Sequence, residues 1–296
     1  MLPYLVLGAC TGVYGILVGA GGGIILAPAL MIIFGVEPAI AAGTSLALVA
    51  VNSVSGTIAY KATGYIDSRS GILFAVAAIP GSIIAPIMLD MVATNLFKLL
   101  FGILLILLAV LIGLKPNYRE IENPNEFADQ HFDVGRSKIP LPSWLQIGVV
   151  DRHIQTSNGQ RFFFRFSEPL TIGLNLVLGF VSSFFGTGGG FLRTPVLVSF
   201  FGFPVQIAVA TSIFALSVYS IVGSVIHGYL GNVDWYPAFV WCGIGLIMGG
   251  QLGARLLEVV KGVWILRILL LVVVLMGVQL LLQAINPELF SLLEFK

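Results

Sequence analysis

"GTGGGFLRTP", residues 186–195, sets three consecutive glycines and an arginine within one of the most apolar parts of a 296-residue chain. Such a run can cradle a phosphate in a nucleotide enzyme, or it can break a helix at membrane depth. The surrounding medium decides between them, and composition reveals the medium. The chain is 57% hydrophobic and only 10% charged, with a mean hydropathy of +1.00. Soluble domains carry about 25% charged residues, so this chain could not cover a water-facing surface. Apolar runs recur at 5–33, 39–60, 71–89, 96–114, 170–203, 207–226, 235–252 and 263–282. Most are close to the ~20 residues that a bilayer's hydrocarbon core requires of a helix. The composition therefore predicts an all-α polytopic protein of the cytoplasmic membrane, with the lipid bilayer as its surroundings. A net charge of +1 argues against nucleic acid as a partner.

The nucleotide reading also fails on pattern. A phosphate-binding P-loop needs G-x-x-x-x-G-K-[ST] between a strand and a helix. Here Arg193 precedes Thr194 without that spacing, and no strand pattern flanks it. Non-helical backbone at membrane depth persists only where it is buried in protein or lines a wet cavity.

A duplication gives the glycines their meaning. Residues 12–67 and 179–234 align without a gap at an offset of 167, with 18 of 56 positions identical. "GAGGG…P…FG…A..TS" stands against "GTGGG…P…FG…A..TS", a match that shared leucine-rich composition does not produce. The expected organisation is a first membrane repeat over 1–114, a cytoplasmic connector over 115–167, and a second membrane repeat with the C-terminal tail over 168–296. Loop charges bear on orientation, because Lys and Arg near short loops favour the cytoplasmic side. The loop at 61–70 holds Lys61 and Arg69, and its counterpart at 228–236 holds neither; one loop later Arg255, Lys261 and Arg267 face only Lys98. Opposite bias at equivalent loops predicts two inverted repeats, each a glycine-broken helical hairpin plus about three transmembrane helices. With the connector and the loop near Lys261 both cytoplasmic, residues 168–202 must cross the membrane zero times or twice. Split at the glycines, they make two short helices of about 27 Å or less at 1.5 Å per residue.

Paired interruptions at matching positions of two halves point to a transporter's central site. A helix starting after Gly21, Gly22 and Gly23, and another after Gly188, Gly189 and Gly190, would each present unpaired N–H groups and a positive dipole end. Two such ends make an anion site. Arg193, whose counterpart is Leu26, adds a charge that the duplication itself does not require, and an ionisable side chain at this depth is a functional hypothesis by default. Its planar guanidinium suits oxyanions. The following helix of each half supplies polar neighbours: Thr44, Ser45 and Asn52 in the first, Thr211, Ser212 and Tyr219 in the second. Asp67 and Asp234 each precede a new span and read as helix N-caps. His227 and Lys61 read as interfacial anchors, with proton carriage the alternative. Cys10 and Cys242 read as small buried packing residues. The N-terminus lacks a positively charged leader and reads as retained membrane structure. No catalytic triad, metal cluster or cofactor motif is visible.

The connector carries seven Lys and Arg. "NPNEF" within it reads as loop, and "WLQIGVVDRHIQTSNGQRFFFRF" as a small β-hairpin about a Ser-Asn-Gly turn. "RFFFRF" suits the membrane surface, and the tail "NPELFSLLEFK" the interface.

The duplicated "GVYGILVGAGGGIILAPAL" and "GFVSSFFGTGGGFLRTPVLV", each followed by Thr-Ser, resemble the TauE/SafE sulfite exporter family of membrane permeases. The resemblance covers nearly all of both halves. It implies transport of small sulfur-containing anions such as sulfite, thiosulfate or organosulfonates, with the family's glycine motif on Gly21–Gly23 and Gly188–Gly190 and its Thr-Ser element on Thr44, Ser45, Thr211 and Ser212. Sequence and resemblance together predict a secondary transporter with a small anionic substrate, working by alternating access, and not an enzyme. An anion channel, or an anion sensor signalling through 115–167, is the rival. A homo-oligomer is compatible with either.

Overall fold

The computed structural model describes residues 1–18, 21–114, 148–157, 159, 161–256 and 262–286. Among them, ten α-helices and one β-hairpin follow in order. The first five helices are α1 Leu2–Val18, α2 Gly23–Phe34, α3 Pro38–Thr63, α4 Ser68–Leu89 and α5 Thr94–Leu114. Strands β1 Val149–Gln155 and β2 Arg161–Ser167 come next, then α6 Glu168–Phe185, α7 Gly190–Phe201 and α8 Val205–Tyr229. A π turn over Trp235–Phe239 leads into α9 Val240–Leu256, and α10 spans Gly262–Ile285. Among the described residues, four helices are long and apolar enough to cross a membrane: Pro38–Ala62, Ser68–Leu89, Glu168–Phe185 and Val205–Tyr229. Their outward faces expose large apolar side chains, among them Ile58, Ile72, Val76 and Val225, as lipid contact requires and water would not tolerate.

The sequence expectation of two short arms at 168–202 meets an unequal pair. Helix α6 has 18 residues and α7 has 12, or about 27 and 18 Å at 1.5 Å per residue. The break between them falls at Gly186–Gly189.

Packing pairs eight of the ten helices across the connector, α1 with α9, α4 with α6, α3 with α8, and α5 with α10, while the short α2 and α7 lie chiefly against α3 and α8. Small residues let the backbones meet, since association in lipid depends on close packing rather than on the hydrophobic effect. The backbone of Gly8 lies against Cys242 and that of Gly12 against Leu246, so α1 and α9 run parallel. Gly43 meets Asn232 and Gly56 meets Ile213, so α3 and α8 run antiparallel. Gly102 meets Leu281 and Gly277 meets Ile106, which makes α5 and α10 antiparallel as well. Two hydrogen bonds fasten the α3–α8 ends. Thr44 Oγ1 accepts from the Asp234 N–H at 2.8 Å, and Thr211 Oγ1 accepts from the Asp67 N–H at 3.0 Å. Donors and acceptors in the two bonds are each 167 positions apart.

The β-hairpin forms where its sequence predicts it, antiparallel with Val149 opposite Ser167 and Gln155 opposite Arg161. Of its aromatic run, Phe163 faces outward, whereas Phe164 and Phe166 are buried against Phe203, with ring centroids 4.6 and 4.7 Å away. Alternation along the strand separates these two fates. Arg152 ties the hairpin to the helices, bonding Glu168 at 2.8 Å and pairing with Asp67 at 3.5 Å. The "NPNEF" segment and the tail "NPELFSLLEFK" fall outside the described residues, apart from Asn286, as do the side chains of Arg255, Lys261 and Arg267.

Three expectations need correction. Cys10 is exposed, because Gly8 and Gly12 form the packed face of α1 and Cys10 lies about 200° round the helix from each; Cys242 is buried, and both thiols are free. Asp67 caps α4 by accepting from the Ser70 N–H at 3.3 Å, but the Asp234 side chain caps nothing. The extended backbone at Tyr236 (φ −149°) carries the first helical N–H groups out of its reach. His227 is fully buried and anchors at no interface, because α3 and α6 close over the end of α8.

Candidate functional site

The two glycine turns meet at the centre of the molecule. Gly21 and Gly22 have φ of 73° and 84°, and Gly188 and Gly189 have φ of 81° and 58°. A Cβ is strained in this left-handed region. Space forbids one as well: at Gly189 it would lie 2.8 Å from Tyr219 Oη, and at Gly188 2.6 Å from a Val49 methyl. The same Val49 touches Gly21 and Gly23, and Gly23 abuts the carbonyls of Gly186 and Thr187. Val49 thus fills the space between the turns, with its equivalent Leu216 beside Gly21. A surface cleft of about 500 Å³ lies elsewhere, lined by Arg69, Ile72, Leu73, Glu168 and Ile172 beside the hairpin.

Three polar side chains hold the turns. Ser45 Oγ donates to the Gly186 carbonyl at 2.7 Å and approaches that of Gly23 at 3.4 Å, joining the turns to each other. Asn52 Nδ2 donates to the Gly21 carbonyl at 3.3 Å. Tyr219 Oη, at the equivalent position, donates to the Gly188 carbonyl at 2.8 Å and lies 3.3 Å from Ser182 Oγ. With their carbonyls fixed, the turns aim the starts of α2 and α7 inward. Neither start has a side-chain cap, although the Ile25, Gly190 and Leu192 N–H groups bond back to the Gly22, Gly188 and Gly189 carbonyls at 3.2, 2.7 and 3.2 Å.

Among the described residues Arg193 is the largest fully buried side chain. It stands on the first turn of α7 and does not reach for an interface. Its Nε donates to Asn175 Oδ1 at 2.6 Å, and Nη1 donates to the Ser212 carbonyl at 3.2 Å. The Asn175 amide is oriented by its own donation to the Thr171 carbonyl at 2.7 Å, which leaves its oxygen for the arginine. The guanidinium sits 5.0 Å from the Tyr219 ring centroid, a cation–π arrangement. Nη2 has no protein partner, and neither do the hydroxyls of Thr187, Thr194 and Ser212. Buried polar groups are nearly always satisfied, so the free Nη2 of a buried guanidinium is a donor that a further acceptor could take.

The sequence-selected residues divide between one central region and the frame around it. The turns at 21–23 and 188–190, Ser45, Asn52, Tyr219, Arg193 and Ser212 converge there. Thr44 and Thr211 bond the loops that carry Asp234 and Asp67. Asn175 and Ser182 were missed, because an isolated Asn and Ser on an apolar helix carry no motif. Their equivalents are Gly8 and Gly15, and Arg193 answers to Leu26, so comparing the halves for polar excess could have found them. Among the described residues no cluster of His, Cys, Asp or Glu could hold a metal ion.

A family model described as sulfite exporter TauE/SafE matches residues 4–280. "Probable membrane transporter protein YunE" of Bacillus subtilis (strain 168) is 32% identical over 288 residues, covering 95% of this chain and 97% of that protein. A "probable membrane transporter protein" of Xylella fastidiosa (strain 9a5c) is 27% identical over 241 residues, covering 81% and 78%. "Probable membrane transporter protein MJ0441" of Methanocaldococcus jannaschii is 26% identical over 271 residues, covering 86% of each. No solved structure matches the chain.

Proposed function

The chain belongs to the TauE/SafE sulfite exporter family and is a membrane transporter, and from that premise we propose that it moves small sulfur-containing oxyanions across the cytoplasmic membrane by alternating access. The observation that carries this reading is the buried Arg193, with an unpartnered Nη2, at the uncapped start of α7 and beside the second glycine turn. Arg193, Ser212 and the helix starts at 21–23 and 188–190 face the anion and replace its hydration with charge-assisted hydrogen bonds. Ser45, Asn52 and Tyr219 hold the turns, and Thr44 and Thr211 hold the frame. No covalent step and no cofactor is needed.

In this reading, 1–114 and 168–296 are inverted repeats joined by a cytoplasmic connector over 115–167. The antiparallel course of α3 and α8 and of α5 and α10 supports it, as do the exchanged bonds Thr44–Asp234 and Thr211–Asp67. Rocking one repeat against the other, about Val49 and Leu216, would open the centre to each side in turn. The test is calorimetric binding of sulfite, thiosulfate, an alkylsulfonate and sulfate to purified protein. Saturable binding of one or more of the first three, weakened about ten- to a hundredfold in Arg193→Leu, is expected. Failure of all three to bind would overturn the assignment of substrate class.

A further inference from the structure

The proposed anion site leaves His227 unused, although it is fully buried near the end of α8. Its Nε2 lies 3.0 Å from the Ser183 carbonyl. A carbonyl only accepts, so Nε2 carries the hydrogen and Nδ1 of the neutral ring is a bare lone pair. Ser183 lies in the last turn of α6, three residues before Gly186 caps it. The imidazole thus closes one of the terminal carbonyls of the helix whose break forms half of the central site. Nδ1 has no partner. It faces the backbone of Gly43, close enough that a Cβ there would lie 3.0 Å away. The equivalent position in the first half is Tyr60, so the duplication does not call for an imidazole.

We propose that His227 is a proton-binding site whose occupancy is linked to opening of the seam between α3, α6 and α8, which couples protons to anion movement. In the closed seam a proton on Nδ1 would point at the Gly43 backbone with no acceptor, and the imidazolium would be out of water. Burying a charge and an unmade hydrogen bond together is unfavourable. The negative end of α6 offsets part of this, but a helix terminus is a weak partner beside full desolvation. When the seam opens, water supplies the missing acceptor, a proton binds the Nδ1 lone pair, and the resulting imidazolium holds the seam apart until the proton returns to solvent. The charged groups near the ring are acidic. Asp90, on the turn after α4, receives a 2.7 Å hydrogen bond from Asn232, whose own N–H bonds the His227 carbonyl at 2.8 Å. Asp234 follows two residues later, tied to α3 through Thr44. No ion pair among the described residues involves this cluster. The site thus attracts protons and is sealed without one.

The coupling rests on the transporter reading, but its test can be made without an anion. Leu46, on α3 one turn beyond Gly43, is buried with a methyl against Gly223 in the same seam. Leu46→Cys is placed in a Cys10→Ser background and treated with a water-soluble methanethiosulfonate, with and without His227→Gln. Gln keeps an N–H for the Ser183 carbonyl and does not titrate. Between about pH 8 and about pH 6 histidine is the side chain that ordinarily titrates. Over that range labelling of the His227 protein, relative to His227→Gln, should rise by up to about tenfold per pH unit for one linked proton. His227→Asn repeats the comparison if His227→Gln melts early in detergent. Equal pH dependence with and without the imidazole, or a ratio of His227 to His227→Gln labelling that falls on acidification, overturns the proposal. Thiosulfate calorimetry on the same samples tests the anion site separately: lost anion binding with the pH effect intact would count against the transporter reading alone.

Discussion

Replacing Arg193 by leucine removes the charge from the proposed site, and its cost in folding can be worked out and measured separately. Leucine is the residue at the equivalent position, Leu26, so the backbone of α7 should accept it. Arg193→Leu nevertheless strands Asn175 Oδ1, which is buried, while the Ser212 carbonyl keeps its place in the helical ladder. An unsatisfied buried acceptor costs about 1–3 kcal/mol, so the single variant should melt earlier. Adding Asn175→Leu removes the amide whose oxygen was stranded, and replacing both partners of a bond by apolar groups is close to neutral, so melting should partly recover. Anion affinity should not recover. A charge-assisted hydrogen bond contributes about 1.5–3 kcal/mol, which is a loss of about ten- to a hundredfold in Kd at 1.36 kcal/mol per factor of ten. Arg193→Lys should regain only part, because an ammonium lacks the planar fork. The assay is thiosulfate calorimetry beside thermal melting in detergent. A folded Arg193→Leu, alone or with Asn175→Leu, that binds as tightly as the parent would refute the reasoning, and Arg193 would then be a structural strut.

Gly189→Val should abolish transport, since a β-branched residue at φ 58° is strained by at least about 1–2 kcal/mol and its Cβ would press on Tyr219 and Ser182; normal transport would remove that turn from the mechanism. Cysteines placed at Lys61 and at Gly231 should react with impermeant reagents from opposite faces of the membrane, and labelling of both from one face would exclude inversion. On the exposed hairpin, the Asp151 carboxyl is held below the usual carboxylate range, chiefly by its hydrogen bond from Arg165. A depressed carboxyl stabilises the folded hairpin above the ordinary carboxylate pKa and loses that contribution as pH falls through its own value. Carbon-detected titration should therefore show Asp151 protonating later on acidification than in Arg165→Gln; coincident curves would show that the pair does not act in solution.

The helices, the glycine breaks and the hairpin were legible in the sequence because each rests on local chemistry. Apolar length, positive φ and strand alternation around a Ser-Asn-Gly turn need no knowledge of what packs where. The duplication added more, since a polar residue facing an apolar counterpart, as Arg193 faces Leu26, marks an asymmetry that symmetry alone would not produce. What stayed hidden depends on partners distant in sequence. Thr44 and Ser45 are adjacent and look alike, yet one bonds the Asp234 N–H and the other the Gly186 carbonyl. His227 looked interfacial by its place at a span's end, and only the packing of α3 and α6 buries it. Asp234 had the residue type of a helix cap, but the extended backbone two residues on denied it the role.

Counterflow in proteoliposomes tests the central claim most directly. Vesicles loaded with unlabelled thiosulfate should accumulate labelled thiosulfate above its outside concentration, transiently and saturably, with no accompanying conductance. Arg193→Leu vesicles should accumulate far less at the same label concentration. Conductance of thiosulfate without counterflow would make the protein a channel and contradict alternating access.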